Sequence, residues 1–345
     1  LAIINKYKDI IILGIESSCD ETSASVIIND QILSNCIANQ TMHQNFGGVV
    51  PELASRAHQA NVIPVIEQAL KDANILTSQL TAIAYTQGPG LMGALMVGSS
   101  VAKSMAMSLN IPIIPVNHMQ GHILAHFIKK NESQKVPEFP FLCLTVSGGH
   151  TQLVVVKNYL EMEVIGQTID DAAGEAFDKC AKILGLPYPG GPLIDKYAKN
   201  GNPNAFSFAM PKVGELNYSF SGLKTSFLYF IQKEVQKNAN FIEQNINDLC
   251  ASIQFTIVKI LIQKFELAAK KHKVKSICIA GGVSANSYLR DQVNLLAQKN
   301  NWQSFIPAFE FCTDNAAMIA MTGYYKYLNN EFGTYTDIPM ARMQF

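Results

Sequence analysis

The chain has 345 residues, more than one hydrophobic core serves comfortably, so two domains are expected. Lys plus Arg and Asp plus Glu both number 27, and this balance argues against a free-standing nucleic-acid binder, which would carry a large basic excess. Any contact with nucleic acid then relies on local patches or on charge borrowed from a partner. The seven cysteines form no CxxC pair, and Cys143 and Cys278 lie in apolar strand-like runs, which fits buried, reduced thiols of a cytoplasmic protein.

In chain order, residues 10–28 (IIILGIESSCDETSASVII) read as a strand, a small-and-acidic turn and a second strand; no cleavage site follows the apolar run, so no signal peptide is expected. A strand over TAIAYT runs into QGPGLMG and a helix. Gly88, Gly90 and Gly93 match G-x-G-x-x-G, but the next strand ends Val116-Asn117-His118 without the carboxylate a dinucleotide fold needs. Those glycines are read as packing, and a dehydrogenase is rejected. The apolar stretch 91–109 is interrupted by Lys103 and rich in Gly and Ser, so it reads as a buried helix and no membrane span is expected.

After the strand IPIIPV come His118 and His122, whose i, i+4 spacing puts both imidazoles on one helix face. The spacing is that of the metallopeptidase helix H-E-x-x-H, but Met119 stands where the general base would be, and a thioether cannot deprotonate water. His126, one turn further, is read as a surface residue.

Residues 141–156 (FLCLTVSGGHTQLVVV) repeat the strand–turn–strand plan, with Ser147-Gly148-Gly149 able to turn backbone N–H groups onto an anion. In 169–185, the acids Asp170, Asp171, Glu175 and Asp178 either complement a helix N-terminus or, for Asp178, face a ribose hydroxyl. YPGGP (188–192) reads as a Pro-Gly loop. SICIA is a strand leading into GGVSAN (281–286), a second phosphate-compatible turn before a helix near Ser287. The strand-like SFIPAF then leads to Asp314.

The same plan thus occurs twice: a hairpin, a strand entering a Gly-rich turn and helix, and a further strand. Strands joined by helices argue for a duplicated α/β fold, its sheets mainly parallel with antiparallel hairpin additions, and a cleft between the copies. His118 and His122 follow the last strand of the first copy and Asp314 that of the second. Two imidazoles and one carboxylate leave open positions, as a catalytic metal requires.

GIESSCDET (14–22), FGGVVPELASRAH (46–58), YTQGPGLMGALMVG (85–98), NHMQGH (117–122), VSGGHTQL (146–153), DDAAGEAFDKCAKILGLPYPGGP (170–192), SFSGLKT (219–225), GGVSANSYLR (281–290) and FCTDNAAMIA (311–320) resemble the TsaD family, the tRNA threonylcarbamoyladenosine synthase subunit formerly called Gcp. The likeness runs from about residue 11 to 325. It implies a duplicated actin/Hsp70/sugar-kinase-like (ribonuclease H-like) α/β fold, with residues 1–138 plus 322–345 as the first lobe and 139–321 as the second. It also implies transfer of a threonylcarbamoyl group from threonylcarbamoyl-adenylate to the exocyclic amine of the adenosine beside the tRNA anticodon.

By the same resemblance, His118, His122 and Asp314 hold one divalent metal, Fe(2+) first and Zn(2+) second. Adenylate contacts fall to Thr145, Val146, Ser147, Gly148, Gly149, Asp178, Gly191, Asp195 and Asn286, with Asp178 and Asp195 at the ribose and Asn286 by the adenine. The acidic loop supplies Glu16 and Asp20 as candidates for positioning the amine. Partners are tRNA, a paralogous TsaB-like subunit and a small TsaE-like ATPase, without a membrane. Lys129-Lys130 and Lys271, Lys273 and Lys275 are possible tRNA contacts or plain helix ends. A sugar- or acetate-kinase-like phosphotransferase needs a carboxylate-and-water magnesium site, which the histidine pair disfavours.

Overall fold

The computed structural model describes residues 9–131, 134–211 and 213–345. The chain divides into two compact units, one of Leu1–Thr41, Val49–Val136 and Asp314–Phe345, the other of Met42–Gly48 and Pro137–Thr313.

In the first unit β1 (Ile11–Glu16), β2 (Glu21–Ile28) and β3 (Gln31–Asn39) form an antiparallel meander. Helix α1 (Pro51–Ala73) leads to β4 (Ala82–Gly88), and α2 (Met92–Leu109) to β5 (Ile113–Asn117) and the short α3 (His118–Leu124). β4 pairs parallel with both β1 and β5, so the sheet order is β3-β2-β1-β4-β5.

The second unit opens on β6 (Phe141–Val146), β7 (Thr151–Val156) and β8 (Met162–Gln167), followed by α4 (Ala173–Ile183), α5 (Gly190–Ala198), α6 (Ser221–Lys237) and α7 (Phe241–Lys271). It closes with β9 (Ser276–Ala280), α8 (Ser287–Asn300) and β10 (Gln303–Phe305). Its sheet reads β8-β7-β6-β9-β10, the same first-to-fifth order as the other unit with the same strand senses. The duplication is therefore real at the level of pairing. The sheets are not mainly parallel, however: two of the four pairings in each are antiparallel, because each copy starts with a three-strand meander.

Helix α9 (Ala316–Leu328) returns the chain to the first unit. The return comes at Asp314, where the sequence suggested 322, because α9 lies against β1 and β4. A side chain at Gly14 would stand 2.4 Å from the Ala316 carbonyl oxygen, and one at Gly323 would stand 2.5 Å from Ala84 Cβ. On the opposite face Ile11, Leu13 and Ile15 alternate into a core with Val62, Ile66, Ala102 and Ala106 of α1 and α2. Helices on both faces explain why every residue of β1 is buried.

Helix α2, expected to be buried, is buried along one face. Ala94, Leu95, Gly98, Ala102 and Ala106 are buried, while Met92, Met96 and Met107 on the other side are exposed. Among the described residues one helix, α7, is long and apolar enough to cross a membrane. Leu249, Ile253, Ile257, Leu261 and Phe265 recur along it, wholly buried in the second unit's core, as in the central helix of a globular domain. Helices α1, α2 and α8 each end on an asparagine in the left-handed region, Asn74, Asn110 and Asn301. The next residue's N–H then returns to the last turn (Ile75 to the Leu70 carbonyl, 3.0 Å), and this stop aims the chain into the following strand or turn.

Candidate functional site

Asn117 ends β5 and caps α3, its Oδ1 accepting the N–H groups of Met119 (2.9 Å) and Gln120 (3.3 Å). The helix places His118 and His122 one turn apart, with their rings edge-to-face and centroids 4.7 Å apart. Between them Gly121 lies against the first turn of α9: a Cβ there would meet Ile319 Cδ1 and Met318 Cγ at 3.2 Å. This close approach delivers Asp314, just ahead of α9, to the histidines. Asp314 Oδ1 is 3.3 Å from His118 Nε2 and 3.2 Å from His122 Nε2.

Behind the pair stands Glu16, wholly buried at the end of β1. Its Oε2 accepts from His118 Nδ1–H (2.9 Å) and from the Thr86 hydroxyl (2.6 Å), its Oε1 accepts from the Ser18 N–H, and Ser18 Oγ lies 3.2 Å from His118 Nδ1. Burial works against the charge of Glu16, but His118 and Thr86 outweigh it and hold the carboxyl below its ordinary range. An ionised Glu16 fixes the His118 proton on Nδ1 and leaves the Nε2 lone pair facing Asp314.

Ligand atoms, one each from His118, His122 and Asp314, lie within 4.8 Å of one another. Their separations of 3.2 and 3.3 Å from the carboxylate match the roughly 3.3 Å between ligands set about 2.0–2.1 Å from a tetrahedral ion. Three lone pairs so directed repel unless a cation sits among them. His118, His122 and Asp314 therefore form a candidate metal site, with Glu16 as the carboxylate that orients a ligating histidine.

Without a metal, a proton on His118 takes that place. Burial opposes it, but Asp314 and Glu16 raise the His118 pKa well above the ordinary histidine value. Burial pushes His122 the other way, and Asp314 is held far below the carboxylate range by the two histidines in spite of its burial. Metal must displace the His118 proton. Affinity for a divalent ion should therefore climb with pH, about tenfold per unit for one proton released, until pH passes the raised His118 pKa. Titrations with Co(2+) from pH 6 to 8 check the slope, and a flat profile would contradict the protonated state.

In the acidic loop after Glu16, Asp20 is half-buried and Glu21 starts β2. Burial, and then Asp314 and Asp20, push the Glu21 carboxyl up to about 10. His58 of α1, also buried, holds the loop in place: Nε2–H donates to the Cys19 carbonyl (2.9 Å) and Nδ1 accepts from the Thr22 hydroxyl (2.7 Å).

In the second unit the expected adenylate residues fall into a connected ring. Thr145 and Val146 end β6 with buried side chains, in register with Gln152 and Thr151 of β7, and Thr145 also with Ala280 of β9. Gly148 and Gly149 follow; a Cβ on either would meet nothing within 4 Å, and among the described residues neither N–H enters a backbone hydrogen bond. Gly174 N–H, in the first turn of α4, donates to the Ser147 carbonyl (3.2 Å), and Gly281 lies against Val146. Asp178 of α4 reaches the start of α5, Oδ1 accepting from Gly190 (2.8 Å) and Gly191 (3.1 Å). From α5, Asp195 accepts from Ser287 Oγ (2.7 Å) and N–H (3.3 Å) at the start of α8. Asn286 caps that helix through Leu289 N–H and donates to Gln254 Oε1. Thus turn 147–149, the N-termini of α4, α5 and α8, and turn 281–286 are tied edge to edge.

A family model described as "TsaD: tRNA N6-adenosine threonylcarbamoyltransferase" matches residues 31–321. The chain belongs to the TsaD family. It is 59% identical to the tRNA N6-adenosine threonylcarbamoyltransferase of Christiangramia forsetii, over 97% of this chain and 98% of that one. Among solved structures it is similar to HypF of T. kodakarensis (TM-score 0.62, 15% identity, 96% of this chain and 49% of that). It is also similar to the activator of the 2-hydroxyisocaproyl-CoA dehydratase from Clostridium difficile with bound ADPNP (TM-score 0.52, 13% identity, 93% and 97%). The duplicated α/β architecture of TsaD proteins, the actin/Hsp70/sugar-kinase type, is thereby shown.

Several residues of this TsaD-family chain do something other than their types suggested. His126 is buried at 7% exposure rather than on the surface. Asp170 complements not its own helix but the N-terminus of α6, accepting from Ser219 Oγ, Phe220 N–H and Ser221. Asp171 and Glu175 both pair with Lys179. Gly93 lets α2 approach Ser55 of α1, and Gly88 and Gly90 admit Met340 and Ser18, so the glycine triplet serves packing. Lys129, bridged to Gln31, pairs with Asp30, and Lys271, at the end of α7, pairs with Glu215. Sequence reasoning assigned no function to His58, Thr86 or Asn117; an Asn directly ahead of a helix is a capping signal that could have marked Asn117.

Proposed function

We propose that this chain transfers the threonylcarbamoyl group of threonylcarbamoyl-adenylate to the N6 amine of the adenosine adjacent to the tRNA anticodon. The observation that carries this reading is the convergence of His118 Nε2, His122 Nε2 and Asp314 Oδ1, braced by Glu16, in a chain of the TsaD family. A carbon–nitrogen bond forms at the carbamoyl carbon, the bond from that carbon to the phosphate oxygen breaks, AMP leaves with the electron pair, and the amine nitrogen gives up one proton.

His118, His122 and Asp314 would hold a divalent metal, Fe(2+) first by the family resemblance and Zn(2+) second, since two imidazoles and one carboxylate with open positions suit either ion. When bound, it supplies a Lewis acid that polarises an oxygen of the mixed anhydride. The N–H groups of Gly148 and Gly149 and of the 281–286 turn hold the phosphate and balance the charge AMP takes away. Asp178 and Asp195 face the ribose and Asn286 the adenine, with Thr145, Val146 and Gly191 beside them. The capping bonds of Asp178 and Asp195 leave lone pairs on each carboxylate for hydroxyl groups.

Glu16 is committed to His118, Thr86 and Ser18, so its part is orienting His118, and Asp20 is the candidate for positioning the amine. A TsaB-like paralogue and a TsaE-like ATPase complete a cytoplasmic machine. A kinase-like phosphotransfer is disfavoured because the site offers imidazoles where magnesium prefers oxygen.

Labelled threonylcarbamoyl-adenylate and tRNA, incubated with the chain and its proposed partners, should give chelator-sensitive labelling of the anticodon-loop adenosine; adenylate bound tightly without transfer would sink the assignment. Glu16→Gln keeps the shape but weakens the acceptor for His118 Nδ1–H, and should cost about 10–100-fold in metal affinity. Calorimetric titration with Zn(2+) measures this, and parent affinity would remove Glu16 from the site.

A further inference from the structure

We infer that Asn117 is a positioning residue for the metal site, acting by tying the histidine helix to the segment that follows α9; this rests on the metal-binding reading above. Strand β5 lies at the edge of its sheet, so β4 steadies its end from one side only. The other constraint comes from residues 329–345, which form neither helix nor strand. That segment is stitched along the ends of β5 and β4: Gly333 N–H donates to the Ile113 carbonyl (2.8 Å), and Met340 N–H to the Gln87 carbonyl (2.8 Å). Gly90 N–H in turn donates to the Ala341 carbonyl (3.2 Å). A Cβ on Gly88 would fall 1.9 Å from the Met340 carbonyl oxygen, so the fit there admits only glycine without rearrangement.

The segment ends on the site. Asn117, 3% exposed, donates from Nδ2 to the Gln344 carbonyl (3.0 Å), while its Oδ1 takes the two leading amides of α3. One side-chain amide thus joins the end of β5, the first turn of the helix carrying both histidines, and a strap 227 positions away in sequence. His118 is the next residue. Any rotation of the Asn117 amide turns the start of α3 and moves His118 Nε2 relative to Asp314 Oδ1, and ligand geometry tolerates only small displacements.

Asn117→Ser separates the two ends of that amide. Serine caps helices about as well as asparagine, so α3 keeps its acceptor, but serine cannot donate to Gln344. The parent, Asn117→Ser, and a chain ending at Ala341 are each titrated with Co(2+) alone, reading the dissociation constant and the visible absorption spectrum. Both variants should bind Co(2+) about tenfold more weakly or worse, with a changed spectrum, while metal-free melting temperatures stay within about 4 °C of the parent. The shortened chain retains Asn117, so an equal defect there assigns the effect to the tie and not to capping. Parent affinity and spectrum in either variant would overturn the inference. A parent that binds no Co(2+) would instead overturn the metal reading beneath it.

Discussion

Asp314→Ala is expected to abolish metal retention and threonylcarbamoyl transfer together. Asp314 Oδ1 is the oxygen that both imidazoles face, and without it two histidines remain to hold an ion. Disturbing the partner of a ligand typically costs about 10–100-fold in metal affinity, so loss of the ligand itself should exceed about 100-fold. The fold should survive, because Asn315, not Asp314, caps α9 by accepting the Met318 N–H. The change also withdraws the leading charge that raises His118, so the metal-free variant should titrate that histidine at lower pH than the parent. Metal content after dialysis, transfer to tRNA and histidine NMR report the three consequences. Full transfer by metal-free Asp314→Ala would refute the metal-centred account.

Gly281→Ala should break the ring of turns and helix N-termini in the second unit. Gly281 sits at φ 88°, ψ 167°, a region almost confined to glycine, and an added Cβ would lie 2.4 Å from the Val146 carbonyl oxygen and 2.9 Å from its carbon. Neither atom can yield cheaply, since Val146 ends a strand whose preceding residue, Thr145, is in register with Ala280 of β9. Backbone strain of about 1–3 kcal/mol plus overpacking of about 1–3 kcal/mol predicts a loss of roughly 2–6 kcal/mol. The chain's one tryptophan, Trp302, belongs to the second unit, so its fluorescence during urea unfolding isolates that unit where a whole-chain transition would mix two. Binding of an AMP analogue should weaken in parallel. A midpoint and affinity equal to the parent's would mean that the approach of Gly281 to Val146 is not required.

The parts of the fold legible in the chain were those written in local pattern. β1 and β6 are short apolar runs bounded by polar turns, and the Gly-rich turns after β4 and β9 announce themselves. The meander strands β3 and β8 did not, because an edge strand needs no clean alternation: β3 has one buried residue in nine, and β8 one in six. Missing those two strands is what made the sheets look mainly parallel. Nothing in AAMIAMTGYYKYL says which sheet that helix covers; Gly14 and Gly323 decide it only once β1 and α9 are face to face.

For the candidate site, the sequence alone determined the residue types and the placing of His118 and His122 on one helix face, since i, i+4 spacing on a helix is a property of the helix itself. It also marked the two Gly-rich turns, but which glycine is indispensable is a matter of surroundings: a Cβ on Gly148 or Gly149 would meet nothing within 4 Å, whereas one on Gly281, at φ 88°, would meet the Val146 carbonyl oxygen at 2.4 Å. Tertiary structure decided which acid does what. Glu16 is bound behind His118 across 102 positions, Asp170 caps a helix 50 positions on, and Asn117 meets the Gln344 carbonyl across 227. A buried carboxylate or amide takes whichever donors and acceptors folding brings within about 3 Å, because leaving it unpaired costs more than any local preference can return. Composition and spacing hold no record of that choice.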